Sequence, residues 1–573
     1  MGKRKKLVIG AFVLAFLLIL AMVAYVLYRK WAPSNEQADI NKLFNLTDGQ
    51  VAILVDDELL TDEKDESIVA LNVDGFTYVP AGIASTYFDK RIFVDDKEGI
   101  LSYATKDGLI QAESDETGYK LGKENKQSED PILKELEDGF YVSLNFIKEH
   151  TANDIKEYST PARLVVMTDR DATYTFATLS EDTRVRTGPG KKYAYYTEAL
   201  EGAQLIVETD VKEENAYTCV TTEDGVTGYV PSERIAAKKE ASWEFEGEPE
   251  TFEQEKFGKT ICLGWHQVTS ETSSKLMYSG ISSANSMNVI CPTVFSLKDS
   301  QGNFTCIADT SYVNQAHALG KKVWGLVDDF AKGIKLSSAL GQTSNRTKLI
   351  NGLVGKAIQY DLDGINVDFE NVTKDNAAAY LQFLRELVLK AHVNDLLVSV
   401  DNYPPMSYNA FYDLEEQGRI VDYVVLMAYD EHYAGSEESG SVSSISYVKN
   451  GLEGMLKQVP KGRVVTALPF YTRLWKESKK KGGQPSSTAY GMSAAETILK
   501  SNDVSAKWDD ETQQFYAEYK AGGFKYKIWL EEETSIEKKL ELVKEKDIAG
   551  VAFWKLGFER PATWTVISKY VGK

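Results

Sequence analysis

The sequence predicts an α/β protein: a TIM (β/α)8 barrel, preceded by small β-rich modules and an N-terminal transmembrane helix. Three observations predict this order. An uncharged apolar stretch lies near the N-terminus, short alternating segments with turn residues continue to about residue 237, and strand and helix patterns alternate from residue 258 to residue 573. A chain of 573 residues is also too long for one compact domain, so several are expected.

The N-terminal segment is predicted to anchor the chain in a membrane. Residues 7–28 carry no charge and are long enough to cross a bilayer. The basic run KRKK precedes them and only Arg29 and Lys30 follow, so we expect residues 1–6 to form a cytoplasmic tail. The expected location is the cell membrane, with a single-pass signal-anchor and the remaining chain, including its C-terminal domain, extracellular. The alternative is a cleaved signal peptide.

Residues 29–48 are expected to form a polar stalk, and residues 49–170 are expected to form a first β-rich domain. Two of its segments, DGFTYVPAGIASTYF and DGFYVSLNFIKEH, each combine a turn, an aromatic strand and the start of a helix. They resemble the N-terminal domain of bacterial copper amine oxidases, a module that wall-associated proteins also use. The resemblance does not imply copper, because no ligand set accompanies it.

Residues 171–237 predict a second β-rich domain, which an acidic linker, residues 238–257, separates from the rest of the chain. The segments RVRTGPG and DGVTGYVPSERI carry a turn and a closing strand that resemble a bacterial Src-homology-3-like domain. This resemblance implies either a module that binds cell-wall peptides or a spacer without a ligand.

Residues 258–573 have about the size of one barrel with modest insertions. Helical patterns separate most of eight strand candidates: TICLGW, NVICPTVF, KVWGLV, GINVDFE, LLVSVD, DYVVLMAY, RVVTALPF and AGVAFW. Polar or aromatic residues lie at or near several strand ends: Trp265, Asp328, Glu370, Asp401, Tyr429, Asp430, Tyr471 and Trp554. The carboxyl ends of barrel strands meet at one rim, where catalytic groups lie. Core packing is the alternative for any single aromatic residue.

The fourth strand candidate, within YDLDGINVDFENV, has two contrasting faces. Asn366, Asp368 and Glu370 are two residues apart and therefore share one face of a strand. The intervening residues 365, 367 and 369 are apolar and should face the helices, while the polar face should point to the barrel interior and mouth. A half-solvated antiparallel strand would alternate in the same way, but the flanking helical patterns favour the barrel.

Composition limits the partners and cofactors. The formal net charge is −20 and is spread fairly evenly along the chain, which disfavours nucleic acid as a partner. The chain has five histidines and four cysteines, whose spacing shows no metal pattern. We therefore expect no metal, no cofactor and no disulfide scaffold, although the spacing leaves one cysteine pairing open in the C-terminal half.

Four motifs in order resemble glycoside hydrolase family 18. DGINVDFE is similar to the family signature Asp-x-x-Asp-x-Asp-x-Glu on the fourth strand, and MAYDEH, LPFYTRLW and GVAFWKLG are similar to the motifs of the sixth, seventh and eighth strands. GINVDFENV and the segment WLEEETSIEKKLELV most resemble the spore-cortex and cell-wall branch of the family. The implied partner is a polysaccharide that contains N-acetylglucosamine, with peptidoglycan favoured over chitin.

The resemblance also implies roles for individual residues. Glu370 would be the general acid, and Asp368 would orient the substrate acetamide, whose oxygen is the nucleophile in this family. Tyr429 would donate a hydrogen bond to that acetamide oxygen. Trp554 would form the floor beneath the sugar, and Asp430 would hold a sugar hydroxyl.

Four further residues are expected to bind substrate: Asn366, Trp265, Tyr471 and Asp401. Asn366 departs from the family pattern, which has an aspartate there. Because an amide does not titrate, we expect Asp368 to ionise more readily than it would above a second carboxyl group. Two alternative classes stay open: a carbohydrate-binding protein on an inactive barrel, and a structural protein whose β-rich modules anchor it to the wall. The intact Glu370 argues against the first.

Overall fold

The computed structural model of the protein describes residues 2–64, 66–478 and 483–571. The first residue of the expected cytoplasmic tail and the last two residues of the expected barrel domain lie outside this range. The chain forms two compact units. The amino-terminal unit comprises Met1–Lys90, Asp115–Thr117 and Ser128–Pro249, and the barrel unit comprises Arg91–Ser114, Gly118–Gln127 and Glu250–Lys573.

The chain begins with helix α1 (Gly2–Trp31) and the short helix α2 (Asn41–Phe44). Within α1, the segment Arg4–Trp31 is long and apolar enough to cross a membrane, with a mean hydropathy that reaches 3.0. A signal sequence near the N-terminus would meet the same criterion of length and hydropathy. Beyond the helix, the Ser34 and Ala38 amides donate to the Lys191 and Tyr195 carbonyls at 2.7 and 2.8 Å, so part of the expected stalk is hydrogen-bonded to the second β-rich module.

The first sheet of the amino-terminal unit starts with strands β1 (Gln50–Val55), β2 (Glu58–Leu59), β3 (Val69–Val73) and β4 (Phe76–Pro80), followed by helix α3 (Ala81–Ile83). The chain then forms a five-stranded antiparallel meander of β5 (Phe93–Asp95), β6 (Ile100–Thr105), β7 (Gly108–Glu113), β8 (Gly118–Leu121) and β9 (Glu124–Gln127), which belongs to the barrel unit. The expected first β-rich domain, residues 49–170, is therefore divided between the two units.

Strands β10 (Leu133–Leu136), β11 (Gly139–Ser143), β12 (Asp154–Ser159) and β13 (Ala162–Met167), with helix α4 (Leu144–His150) after β11, complete the first sheet. The strand order is β10-β11-β4-β3-β1-β13-β12, with β2 paired to β1. Only β1 and β13 run parallel within it, and their facing residues Ala52 to Val55 are buried.

The second sheet contains seven antiparallel strands, β14 to β20: Thr173–Leu179, Thr183–Arg186, Tyr195–Ala199, Gln204–Val207, Tyr217–Thr222, Thr227–Pro231 and Ile235–Ser242. Their order is β16-β15-β19-β18-β17-β14-β20. A small apolar core that includes Leu179, Val185 and Val230 lies within this module.

Eight parallel strands close the barrel, and each matches one of the eight strand candidates. They are β21 (Ile261–His266), β22 (Val289–Leu297), β24 (Lys322–Asp328), β25 (Gly364–Asp368), β26 (Leu397–Asn402), β27 (Tyr423–Met427), β28 (Val464–Pro469) and β34 (Gly550–Trp554). Strand β21 pairs with both β22 and β34, which closes the sheet, and β23 (Phe304–Cys306) adds an antiparallel edge to β22. The predicted (β/α)8 barrel is thus confirmed.

Helices surround the barrel: α5 (Thr310–Ala318), α6 (Leu336–Ala339), α7 (Thr343–Gln359), α8 (Ala377–His392), α9 (Leu414–Ile420), α10 (Ile445–Met455), α11 (Met492–Ser501), α12 (Glu533–Lys546) and α13 (Pro561–Val571). An insertion after β28 forms a second antiparallel sheet of β29 (Tyr471–Lys476), β30 (Ser486–Gly491), β31 (Lys507–Asp509), β32 (Gln514–Ala521) and β33 (Phe524–Leu530).

Strand β25 presents its two faces as its sequence predicts. Ile365, Val367 and Phe369 belong to the apolar layer between strands and helices, where the Phe369 ring stacks on Phe383 of α8 at 5.5 Å between centroids. Gly364 at the start of the strand allows close packing, because a Cβ there would lie 2.8 Å from the Leu397 carbonyl and from the Trp324 ring.

The β5–β9 meander packs against helix α8 and contacts the start of helix α7. Oδ2 of Asp95 accepts a hydrogen bond from the Thr343 amide at 2.6 Å, and Oε2 of Glu98 accepts one from the Ser344 amide at 2.9 Å. These carboxylates satisfy the first amides of α7, which its own preceding residue leaves without a side-chain cap. Helix α8 is consequently buried on its barrel side and on its outer side, including Gln382 and Arg385.

The four cysteines lie within the described residues, and all are free thiols. The pairing that the sequence left open in the C-terminal half is therefore not formed. Cys262 and Cys291 are fully buried in the barrel unit, and burial raises the pKa of both thiols.

Candidate active site

The carboxyl end of β25 brings Asp368 and Glu370 to the mouth of the barrel. Asp368 ends the strand and is 7% exposed, while Glu370 follows it on the same face and is half-buried. They line a cavity of about 170 Å³ with nine other residues: Trp265, Leu326, Phe330, Asp401, Tyr403, Met427, Tyr429, Asp430 and Trp554. The strand ends thus meet at one rim, as the barrel geometry requires.

Two neighbouring loops hold Glu370 in place. The hydroxyl of Tyr403, just beyond β26, donates a hydrogen bond to Oε2 of Glu370. Asp329, just beyond β24, accepts from the Glu370 amide at 3.1 Å and from the Asn371 amide at 3.0 Å. Burial raises the pKa of Glu370, the Tyr403 hydrogen bond lowers it, and nearby acids such as Asp329 raise it. The net shift is upward, which suits a carboxyl group that must carry a proton.

Asn366 forms the centre of the barrel floor. Its Oδ1 accepts a hydrogen bond from Nε1 of Trp265 at 2.9 Å. Its Nδ2 donates to Oγ of Ser399 at 2.9 Å and to Oδ1 of Asp401 at 2.8 Å. Asn366 is completely buried, and these three hydrogen bonds fix the orientation of its side-chain amide. The residue therefore connects β25 to two other strands, β21 and β26, beneath the cavity.

Asp368 lies above this floor with an unusual carboxyl group. Its Oδ1 is buried and has no hydrogen-bond partner among the described residues. Burial raises the pKa of Asp368 well above its ordinary value, and the charges of Asp401 and Glu370 add to the shift. Burial also raises the pKa of Asp401, to about 8. The expectation of easier ionisation considered Asn366 alone, whereas Asp401 supplies a second buried carboxyl group beside Asp368.

Tyr429 and Asp430 follow β27, which is separated from β25 only by β26. Tyr429 is 9% exposed, its ring packs edge-on against Tyr471 at 6.3 Å, and no described residue accepts a hydrogen bond from its hydroxyl. The Tyr471 hydroxyl donates to Oδ1 of Asp430 at 2.6 Å, and a guanidinium nitrogen of Arg473 lies 3.8 Å from the same oxygen. The Asp430 carboxylate is therefore held by Tyr471 and Arg473, and Tyr429 lines the cavity with a hydroxyl that is free to donate to a ligand.

The two tryptophans of the cavity differ in exposure. Trp265 is 1% exposed, and its indole N–H is already bonded to Asn366. Trp554, at the end of β34, is half-buried and packs edge-on against Trp265 with 5.9 Å between ring centroids. Trp554 thus offers a ring to a ligand, while Trp265 mainly supports that ring and the floor.

The cavity includes eight of the nine residues expected at the site or places them directly beneath it, whereas Tyr471 lies behind Asp430. Sequence reasoning missed Tyr403, Asp329 and Phe330. Each follows a strand end by one to three residues, in NYPP and VDDF, so the usable signal was a polar or aromatic residue in the first loop positions. Within residues 2–64, 66–478 and 483–571, no group of three or more His, Cys, Asp or Glu side chains could hold a metal ion.

The closed barrel and its paired acids at the strand ends define a glycoside hydrolase domain. Residues 292–559 match the family model described as glycosyl hydrolases family 18, which supports a glycoside hydrolase.

The chain is similar to the cortical fragment-lytic enzyme of Bacillus subtilis (strain 168), with 28% identity over 325 residues that cover 54% of this chain and 72% of the relative. The enzyme of the same name from Bacillus anthracis is 28% identical over 238 residues, which cover 40% of this chain and 55% of the relative. Among solved structures, the C-terminal domain of a chitinase candidate from Desulfitobacterium hafniense DCB-2 superposes with a TM-score of 0.50 and 22% identity. That match covers 55% of this chain and all of the other, and it shows the fold alone.

Proposed function

We propose that this chain is a membrane-anchored glycosidase that cleaves β-linked, N-acetylglucosamine-containing glycans of the cell wall, peptidoglycan above all. One observation carries the proposal: Asp368 and Glu370 project from one strand end into a cavity that Tyr429 and Trp554 complete. The similarity to cortical fragment-lytic enzymes supports a wall glycan as the substrate. Chitin oligomers, which the name of the similar chitinase A1 from Niallia circulans suggests, are a second substrate to test.

The proposed mechanism is substrate-assisted. The acetamide oxygen of the sugar attacks the anomeric carbon, and the bond to the leaving oxygen breaks as that oxygen takes the proton of Glu370. An oxazolinium ion results. Water then attacks the anomeric carbon, returns a proton to Glu370 and reopens the ring, so the product keeps the β configuration.

The partnerless Oδ1 of Asp368 suits its part in this scheme. A buried oxygen without a partner is costly, and a substrate acetamide N–H would supply the missing hydrogen bond. The raised pKa of Asp368 favours its protonated form in the free enzyme, and the positive charge that develops on the sugar favours loss of that proton. Asp401 lies next to it as the group that can share that proton.

Tyr429 and Trp554 would position the sugar. The Tyr429 hydroxyl would donate to the acetamide oxygen, and the exposed part of the Trp554 ring would stack on the apolar face of the sugar. Asp430 would accept a hydrogen bond from a sugar hydroxyl, held for that purpose by Tyr471 and Arg473.

The anchor is the other part of the proposal. The helix Arg4–Trp31 would cross the membrane once with the basic N-terminus inside, leaving both units on the outer side. The β-rich modules, proposed to be amine-oxidase-N-terminal-like and Src-homology-3-like, would then stand between the membrane and the wall.

Digestion of purified peptidoglycan by the full chain in detergent tests the activity. New reducing ends at N-acetylglucosamine, identified by mass spectrometry and absent with Glu370→Gln, are expected. An unchanged digest would refute the proposed substrate. Binding of peptidoglycan without any cleavage would instead favour a carbohydrate-binding or wall-anchoring protein.

A further inference from the structure

The amino-terminal unit contains a cavity of about 470 Å³ far from the glycosidase residues in sequence. It lies between the two sheets of that unit, which Arg163 and Asp224 join by a 2.6 Å ion pair. Its volume falls within the range of about 300–1,000 Å³ that is typical of small-ligand sites. The glycosidase function proposed above assigns nothing to this cavity.

One wall of the cavity is a row of side chains across the second sheet. Strand pairing places Lys239 of β20 opposite Phe176 of β14, Phe176 opposite Ile206 of β17, and Ile206 opposite Thr221 of β18. Residues opposite each other in paired strands share a face, so these four side chains form one continuous surface. All four line the cavity. The surface has an ammonium group at one end and an aromatic ring beside it.

The first sheet supplies the facing wall. Lys156 of β12 pairs with Val165 of β13, Asp154 pairs with Met167, and all four residues line the cavity. Trp243, which follows β20, donates its indole N–H to Oδ2 of Asp154 at 3.0 Å. The apolar part of this wall and the rings of Phe176 and Trp243, 6.1 Å apart, can enclose an aliphatic chain.

Four charged groups of the cavity have no partner among the described residues: Asp57, Lys239, Glu244 and Glu246. Lys156 is paired with Glu223 at 2.9 Å, but neither the carboxylate of Asp57 nor the ammonium of Lys239 forms an ion pair or a hydrogen bond there. Glu244 and Glu246 are further acids of the lining. The formal charge of the lining is therefore negative overall, with one unpaired ammonium available to an anionic group.

Asp57 sits in a strongly negative environment. Burial, Glu208, Glu58 and Asp56 together raise the pKa of its carboxyl group to about 7. A cation next to Asp57 would relieve both the repulsion and part of the desolvation cost.

We propose that this cavity binds a short peptide with a free amino group at Asp57 and a carboxyl group at Lys239, and with its aliphatic part against Phe176 and Trp243. The acidic excess of the lining favours peptides with more amino than carboxyl groups. A second amino group would face Glu244 or Glu246. Binding here needs no hydrolysis, so it stands or falls independently of the glycosidase proposal.

Isothermal titration of the full chain in detergent with three dipeptides tests the site. Alanyl-lysine has two amino groups and a carboxyl group, alanyl-norleucine lacks the side-chain amine, and N-acetyl-alanyl-norleucine amide lacks all charge. We expect affinity to fall in that order, with no saturable binding of the last.

Variants then locate the site. Asp57→Asn and Lys239→Gln should each weaken alanyl-lysine binding about tenfold or more, since each removes one charge-assisted hydrogen bond. Asparagine tolerates the positive φ of 70° at position 57, so the first variant should keep its melting temperature. Lys238→Gln is the matched control, because the neighbouring side chain points to the other face of β20 and does not line the cavity. Equal affinity for all three dipeptides, no binding of any, or unchanged affinity in both cavity variants would overturn the proposal.

Discussion

The hydroxyl of Tyr403 donates a hydrogen bond to Oε2 of Glu370, which ties the side chain at the end of β25 to the loop after β26. This hydrogen bond stabilises the ionised form of Glu370, while burial and nearby carboxylates stabilise the protonated form. The pKa of the proposed acid therefore depends on residues at the ends of two neighbouring strands, β25 and β26. A substitution at either end should change it.

Tyr403→Phe should raise the pKa of Glu370, because it removes the influence that lowers it. A general acid works only while protonated, so the alkaline limb of the pH profile of kcat should move to higher pH. A pH series of initial rates on a chromogenic N-acetylglucosamine oligomer measures this. Tyr408→Phe is the control, since Tyr408 is 76% exposed and does not line the cavity. A limb that stays in place or moves to lower pH would contradict the role of Tyr403.

Glu370→Gln should reduce turnover on the order of 10²–10⁴-fold or more, because glutamine keeps the shape but has no proton to transfer. Asp368→Asn should be similarly harmful, since it removes the charge that balances the developing cation. Exposed Glu415 offers a control as Glu415→Gln. Early-time NMR of the products should show the β-anomer first, and a first-formed α-anomer would exclude the retaining mechanism.

Asp401→Asn should change how stability depends on pH. The pKa of Asp401 is about 8 in the folded state and 3.8 in its ordinary, unfolded environment, so the folded state binds more protons than the unfolded state between these values. Stability should therefore decline as pH rises from about 4 to about 8. The variant lacks this titration, so its melting temperature should decline less over the same range. Parallel curves for both proteins would show that Asp401 does not titrate as described.

Asp95→Ala should destabilise the start of α7, because the Thr343 amide loses the carboxylate that accepts its hydrogen bond. Loss of a helix cap costs about 0.5–2 kcal/mol. Hydrogen exchange at the amides of Thr343 and Ser344 should accelerate, while activity on a small substrate should persist. Asp96→Ala is the matched neighbour, with its side chain 74% exposed. Equal exchange in both variants would mean that the meander does not support α7.

External protease on intact cells tests the proposed anchor. If the helix Arg4–Trp31 crosses the membrane with its basic end inside, the protease should degrade both units without lysis. Full protection until lysis would place them in the cytoplasm. Release of an intact protein into the medium would favour a cleaved signal peptide.

Much of the barrel could be predicted because its signals are local. Each strand is a short apolar run between helical patterns, and the alternation in GINVDFE determines which side chains point inward. The contacts of Tyr403 and Asp329 with residues 370 and 371 could not be predicted in this way, since they depend on how neighbouring loops turn after the strands. The bond between Asn366 and Asp401 likewise joins two strands whose relative height only barrel closure determines.

The role of the meander was beyond sequence reasoning for a different reason. Its strands were recognised as short β segments, but nothing in FVDDKEGILSYAT indicates that Asp95 accepts a hydrogen bond from a helix whose first residue is Thr343. Two features become visible only in the structure: α7 begins without a side-chain cap from its own preceding residue, and α8 is buried on both its barrel side and its outer side.

The barrel unit is discontinuous along the chain, since Arg91–Ser114 and Gly118–Gln127 belong to it together with everything after Glu250. During synthesis these early strands leave the ribosome well before the helices that they cover, and they must wait for α7 and α8. No single cut in the polypeptide can release the barrel unit together with its β5–β9 meander. A gene fusion that transplants residues 258–573 alone would carry the reaction centre into a new protein and leave behind the cover of two of its helices.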